Sequence, residues 1–299
     1  MRIQRKGNEP VLERLEQEGT EYLTFPALSQ TGMVSHLFST RLGGVSEGDL
    51  STMNLSYSRG DRKENVDENF RRIAKVLGRS IEDIVCSDQT HTTNVRRITL
   101  QDRGKGVVRS KDYTDVDGMI TNEPGIVLAT FYADCVPLYF VDPVRGAIGL
   151  AHSGWRGTAG KIGAVTVQKM TEEYGTNPAD VIAAIGPSIC QDCYEVSEDV
   201  AEAFRVVFEG DRMQEKLGKH LTEQVLFAKG DGKYQLNLWQ ANALILQEAG
   251  IPENQISVTD LCTCCNPEYL FSHRASHGRR GNLGAFLTLL TTEEKEKRN

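Results

Sequence analysis

No uninterrupted apolar run in this chain approaches the roughly 18 residues that a membrane-crossing helix needs. The first residues, MRIQRKGNEP, also lack the apolar core of a signal peptide. A cytoplasmic protein with no membrane partner is expected. Basic excess is missing too: 34 Lys and Arg stand against 41 Asp and Glu, a net charge of −7. General nucleic-acid binders present a basic face, and the Arg-Arg pairs at 71–72, 96–97 and 279–280 are scattered, so nucleic acid is excluded as the expected partner. Internal repeats and linkers rich in Pro, Gly or Ser are absent, which leaves a single domain over 1–299 with a charged tail at 291–299 that is expected to be frayed. Nothing in the chain points to a protein partner.

Cysteine, by contrast, is plentiful. There are seven, an odd number without secretory context, which indicates a reducing compartment and a metal or a reactive thiol rather than a disulfide frame. Charged residues at 25% and apolar residues at 39% are ordinary for a globular chain.

Periodicity supplies the elements. Val66, Phe70, Ile73, Ala74 and Leu77 fall at helical spacing between Glu64 and a stop at Gly78. Further helices are expected over Thr158–Tyr174, Ser197–Phe208 and Leu236–Ala249, with helix and hairpin between 209 and 235. Short apolar runs at 36–41, 117–121, 126–132, 138–141, 147–151, 181–185, 256–259 and 285–290 read as strands. They alternate with helices without a strict βαβ rhythm, and several follow one another through tight turns. That favours an α+β fold with a mixed sheet.

The stretch ADCVPLYFVDPVRGAIGLAHSGWRG, Ala133 to Gly157, concentrates the chemistry. One strand ends at Asp134-Cys135, and another ends at His152 before a Gly-rich turn. With His91, from the polar segment SDQTHTTNV, these make a set of His91, Cys135 and His152. Two imidazoles and a thiolate suit Zn²⁺, and three protein ligands leave the fourth position open, as in catalytic sites. On spacing alone, with His91 44 residues before Cys135, a buried Cys and two ordinary hydrogen-bonded histidines are the preferred reading. A Cys135–His152 nucleophile pair of a cysteine hydrolase, with Asp134 or another acid orienting the imidazole, is a third. A binding or scaffold protein that keeps zinc only for structure is the rival outside enzymology.

Cys190-Gln-Asp-Cys193 and the cluster Cys262-Thr-Cys264-Cys265 could together make a four-sulfur zinc site. Two turns that happen to carry cysteines are the preferred reading, because adjacent Cys264 and Cys265 fit one ion awkwardly. The turn GWRGTAGK at 154–161 fails as a phosphate loop: Trp155 stands where a Gly is required and Ile162 where Ser or Thr is. As a Gly-rich turn before a helix it could still attract an anion, with Arg156 and Lys161 adding charge.

Ten segments, taken in order, resemble the YfiH-type family, whose members are labelled polyphenol oxidase or laccase-domain proteins and described as purine nucleoside phosphorylases. They are FSTRLGGVS (38–46), MNLS (53–56), RGD (59–61), QTHTTNV (89–95), DGMIT (117–121), ADCVPLYFVDP (133–143), GLAHSGWRGT (149–158), IGPSIC (185–190), CYEVS (193–197) and FSHR (271–274). The match runs from about 24 to 290 and is most similar to the Bacillus-type members. The resemblance implies an α/β/β/α layered fold with mixed β-sheets, and zinc held by His91, Cys135 and His152. It also implies phosphorolysis of adenosine, inosine and 5′-methylthioadenosine, with purine nucleosides and phosphate as small-molecule partners, and zinc-dependent deamination of adenosine. Arg59 and Arg156 are candidates to hold phosphate, Asp61 and Asp134 to serve sugar or base. Many members carry further arginines near the C-terminus where this chain has His273-Arg274-Ala275 and Gly281-Asn282. Arg274 is one candidate contact there, and Arg279 or Arg280 would substitute for the rest. A multicopper laccase is rejected on histidine supply, since only His36, His220, His273 and His277 remain beyond the set; copper at the same three ligands in vitro, as a polyphenol oxidase, is retained as an alternative.

Overall fold

A computed structural model describes residues 3–7 and 9–296. Two six-stranded mixed sheets carry the architecture. The first runs, in spatial order, Glu13–Gln17, Thr20–Thr24, Val34–Ser39, Leu283–Leu289, Val127–Tyr132 and Ile84–Cys86. The second runs Ile256–Val258, Ile182–Ile185, Val136–Asp142, Ala147–Ser153, Gly118–Thr121 and Val95–Arg97. Outer pairs such as Ile84–Cys86 with Val127–Tyr132 are parallel, while the central hairpin Val136–Asp142/Ala147–Ser153 is antiparallel.

Strand alternation sorts the side chains into layers. In Val136–Asp142, Val136, Leu138 and Phe140 face a helical layer, whereas Tyr139 and Val141 face the other sheet. The apolar seam between the sheets includes Leu128, Ala285, Leu287, Tyr139 and Leu150, all fully buried. Outside the first sheet, helix Lys63–Val76 packs Val66, Phe70 and Ile73 onto Val127, Ala129 and Phe286. Outside the second, helices Ile162–Tyr174 and Leu238–Glu248 cover Leu138 and Phe140. The order helix, sheet, sheet, helix is the single-domain α/β/β/α arrangement expected. Sheets whose two faces are both covered read as continuous apolar runs, as the central strands Val127–Tyr132, Val136–Asp142 and Ala147–Ser153 do.

Two expectations need correction. The helix read over 158–174 is two pieces, Trp155–Ala159 and Ile162–Tyr174. Lys161 stands between them at φ +58°, and its ammonium pairs with buried Glu248 at 2.8 Å. The charged tail is ordered as far as it is described: Thr292–Glu296 is a helical turn whose Glu294 meets the Arg79 guanidinium through both oxygens. Residues 297–299 lie outside the described residues.

A small third sheet orders Glu195–Ser197, Lys233–Leu236 and Leu226–Gly230, with helix Glu198–Phe208 against it. It accounts for the hairpin expected between 209 and 235, and helix Asp211–Leu217 for the helix.

Candidate metal centre

The centre is built where three segments meet at the end of the central hairpin. Strand Val127–Tyr132 runs out at Ala133, and Asp134 turns the chain at φ +89°, a region costly for a residue with a Cβ. Cys135 follows, immediately before the next strand begins at Val136. The antiparallel register sets Pro137 opposite His152, so the imidazole is carried to the strand end where the thiol emerges. His91 arrives from a loop, itself in the left-handed region at φ +67°. Its Nε2 is 3.9 Å from Cys135 Sγ, and its ring lies 4.9 Å from that of His152, close to perpendicular.

Asp117 organises this corner, and sequence reading treats it only as the start of a strand. Fully buried, it accepts from the backbone N–H groups of Thr90, His91 and Thr92 at 3.0, 3.1 and 2.9 Å. The Thr92 hydroxyl donates to it at 3.0 Å, and His152 Nδ1 lies 2.8 Å from its other oxygen. One carboxylate therefore shapes the loop that carries His91 and fixes the ring of His152. With Nδ1–H committed to Asp117, Nε2 is the free nitrogen of His152, the carboxylate–histidine pairing that supports metal ligands.

The electrostatics follow from this burial and pairing. Desolvation alone would raise Asp117, but His152 and the backbone donors outweigh it and hold the acid at about 2. Burial would likewise raise the Cys135 thiol; the charge and hydrogen bonds of His152 and His91 bring it down to about 6. His152, which burial would lower, is lifted to about 9 by the Cys135 thiolate and by Asp117. Without a metal, the pair is a thiolate beside an imidazolium.

The donor set fits a zinc-class ion. One ligand atom from each of His91, Cys135 and His152 lies within 4.8 Å of the others. Ligands at about 2.0–2.3 Å around a tetrahedral ion would stand roughly 3.3–3.8 Å apart, close to the 3.9 Å observed between Sγ and Nε2. Gly154 makes the room. A Cβ there would stand 2.8 Å from His91 Cδ2 and 3.1 Å from Cys135 Sγ.

The three side chains open onto a cavity of about 500 Å³. Arg59 and Arg280 line it, with Asn282, Tyr57 and Phe131. Arg280 is half-buried, and burial followed by the charge of Arg59 lowers its guanidinium to about 10. Its Nη1 donates to Gly281 O and Asn282 Oδ1, but its buried Nε has no partner. Lys111 also lines the space but is paired with Asp88; the two guanidiniums, one with an unmet donor, make an anion-seeking wall.

The other sequence candidates are engaged elsewhere, and none lines this cavity. Asp61 accepts from Asn54, Asn65 and the Arg62 backbone. Asp134 points away from the thiol it precedes, accepting from the Thr263 hydroxyl at 2.6 Å and Arg274 N at 2.7 Å. The Arg274 guanidinium donates to the carbonyls of Cys193 and Glu195 and stacks over Tyr194. Arg156 lies over the ring of its neighbour Trp155, 4.3 Å from the centroid. The anion site expected at the helix after Gly157 loses its basis as well: the first piece has five residues, and Lys161 is spent on Glu248.

Of the remaining histidines, His273 and His277 are exposed on one turn. His36 is in the core, where its Nε2 accepts from Phe25 N, and His220 is exposed beside Glu223. The imidazoles a multicopper cluster requires are not gathered.

Comparison with known proteins finds relatives along most of the chain. Residues 35–290 match the family described as multi-copper polyphenol oxidoreductase laccase. The purine nucleoside phosphorylase YlmD of Bacillus subtilis is 37% identical over 254 residues, 84% of this chain and 86% of its own. The protein of the same name from Geobacillus stearothermophilus is 37% identical over 276 residues, covering 91% and 96%. Among solved structures, the Bacillus licheniformis hypothetical protein YfiH superposes with a TM-score of 0.83 at 34% identity, over 93% of this chain and 99% of that one.

Proposed function

The chain belongs to the multi-copper polyphenol oxidoreductase laccase family, and from that premise we propose that it is a purine nucleoside phosphorylase using a zinc centre of His91, Cys135 and His152. The observation that carries this reading is the shared cavity: three metal donors on one wall, Arg59 and Arg280 on another. Phosphate, bound by the two guanidiniums, has its charge met and satisfies the Arg280 Nε. One oxygen of hydrogen phosphate then bonds to C1′ of the ribose as the glycosidic bond breaks, and the base leaves with the electron pair and takes up the proton that the phosphate gives up. The products are the free base and ribose 1-phosphate. A bound zinc would supply a Lewis acid at its open position. Asp117 keeps His152 in the tautomer that ligates, and Tyr57 and Phe131 offer aromatic surface to the base.

Adenosine, inosine and 5′-methylthioadenosine are the proposed substrates, and deamination at C6 of adenosine the accompanying reaction. The two reactions attack different atoms, and a cavity of about 500 Å³ is roomy enough for a nucleoside to bind in two poses. The test is adenosine with and without phosphate. Adenine release should require phosphate, whereas inosine and ammonia should form without it.

A specific observation supports a second reading. Cys135 at about 6 beside His152 at about 9, with Asp117 on the far ring nitrogen, has the relations of a thiol nucleophile, its base and an orienting acid. Alkylation that abolishes activity while chelation leaves it intact would favour this hydrolase. Copper at the same donors, giving polyphenol oxidation in vitro, is the third option.

A further inference from the structure

Away from the cavity, Cys190, Cys193, Cys262 and Cys265 bring four sulfurs within 4.8 Å of one another. Cys193 Sγ is 3.5 Å and Cys190 Sγ 4.0 Å from Cys265 Sγ, although the second pair is separated by 75 positions in sequence. All four are free thiols, and these separations are far beyond the roughly 2.05 Å of a disulfide. They do match a metal site: four sulfurs at about 2.3 Å around a tetrahedral ion stand about 3.8 Å apart.

The backbone is arranged for thiolates as well. The pairs are C-x-x-C at 190–193 and C-x-x-C at 262–265, the spacing at which one turn offers two sulfurs to one ion. Gln191–Cys193 is a single 3₁₀ turn. Cys262 Sγ accepts backbone N–H bonds from Cys190 at 3.2 Å and from Cys265 at 3.4 Å. Donors aimed at sulfur stabilise its charged form. Lys6 brings an ammonium to the rim by pairing at 2.8 Å with Asp192, which lies inside the first pair. Cys264 is not one of the four, although its thiol reaches Cys193 and Ser272, so the adjacent Cys264–Cys265 need not supply two ligands to one ion.

We propose that these four cysteines bind one four-coordinate zinc-class ion that clamps the loop after Ile182–Ile185 to the loop after Ile256–Val258. Four protein ligands close the coordination sphere, as in structural rather than catalytic sites. The clamp joins both ends of the segment that carries helices Glu198–Phe208 and Leu238–Glu248. It also holds Thr263, whose hydroxyl anchors Asp134 next to Cys135.

Metal analysis of the purified full-length chain tests this. Wild type should carry about two metal ions per chain, Cys264→Ser about two, and Cys135→Ala and Cys265→Ser about one each. Should Cys265→Ser fail to fold, cobalt-loaded protein gives the same answer. Cys135→Ala would keep four of five cobalt–thiolate bonds, hence about four-fifths of the near-ultraviolet charge-transfer intensity. Zinc or iron at this position both support the site. It is overturned if Cys135→Ala carries no metal and no charge-transfer band, or if mass mapping of the native chain finds disulfides among the four.

Discussion

Two groups of metal-capable side chains lie close together and are linked by Asp134, yet they face different surroundings. The His91–Cys135–His152 group has three donors and opens on a cavity shared with two arginines. The four-cysteine group has two buried and two half-buried thiols, and none lines that cavity. Donor number separates the roles: three donors with an open position invite a substrate, and four donors that close the coordination sphere hold a fold together. The supporting chemistry differs in the same sense. A buried carboxylate tunes the first through His152, whereas two backbone N–H groups donate to one sulfur of the second, that of Cys262.

The largest expected effect should fall on one group alone. Cys135→Ala removes a ligand and should lower phosphorolysis by about a thousandfold or more while unfolding remains near wild type; a parallel loss of the helical signal would break the distinction between the groups. Asp117→Asn comes next. It leaves all three ligands but replaces the acceptor that fixes His152 and the Thr90–Thr92 backbone, so zinc affinity should drop roughly 10–100-fold, read by competition with a chelating dye.

Much of this was legible beforehand, for physical reasons. Strands covered on both faces must be apolar throughout, which is why Val127–Tyr132, Val136–Asp142 and Ala147–Ser153 stand out as runs. Helix Lys63–Val76 shows its single apolar face in its spacing. The trio His91, Cys135 and His152 could be named from two strand ends, a polar loop and donor type, but the family resemblance, not spacing, is what favours a metal over a buried Cys and two ordinary histidines. Asp117 could not. Its partners, His152 and the backbone of 90–92, are remote in sequence and leave no local pattern. The second C-x-x-C was hidden by Cys264, since only the turn decides which of two adjacent thiols points inward. Arg280 against Arg279 was decided by burial at the cavity wall, which a run of Arg-Arg-Gly does not reveal.

Arg280→Ala should sharpen the comparison by changing the cavity and neither group. Losing a charge-assisted contact of about 1.5–3 kcal/mol should raise the KM for phosphate roughly 10–100-fold, with deamination of adenosine changed little and metal content unchanged. Equal loss of both reactions would mean that Arg280 supports the cavity rather than phosphate.

The smallest effect is a proton count. Zinc needs Cys135 as thiolate and His152 neutral. Between pH 6 and 9 the metal-free pair is thiolate and imidazolium, so binding should release about one proton, from His152. Below pH 6 the thiol is protonated too, the release rises to about two, and affinity falls. Asp117 adds to stability in the opposite pH range from His152: held at about 2, it stabilises the fold fully above the unfolded carboxylate value of about 4, and that contribution is lost as pH falls towards 2. Calorimetry of zinc binding in buffers of different ionisation heat gives the count; release independent of pH from 5 to 8 would contradict the pairing of Cys135 with His152.

One measurement bears most directly on phosphorolysis at the three-ligand centre: adenine and ribose 1-phosphate formed from adenosine, with and without phosphate, in protein as purified, after chelation and after return of zinc. Adenine should appear only with phosphate, in step with ribose 1-phosphate, should disappear on chelation and return with the metal. Adenine released at the same rate without phosphate, or unchanged after the metal has been removed from Cys135, would contradict it.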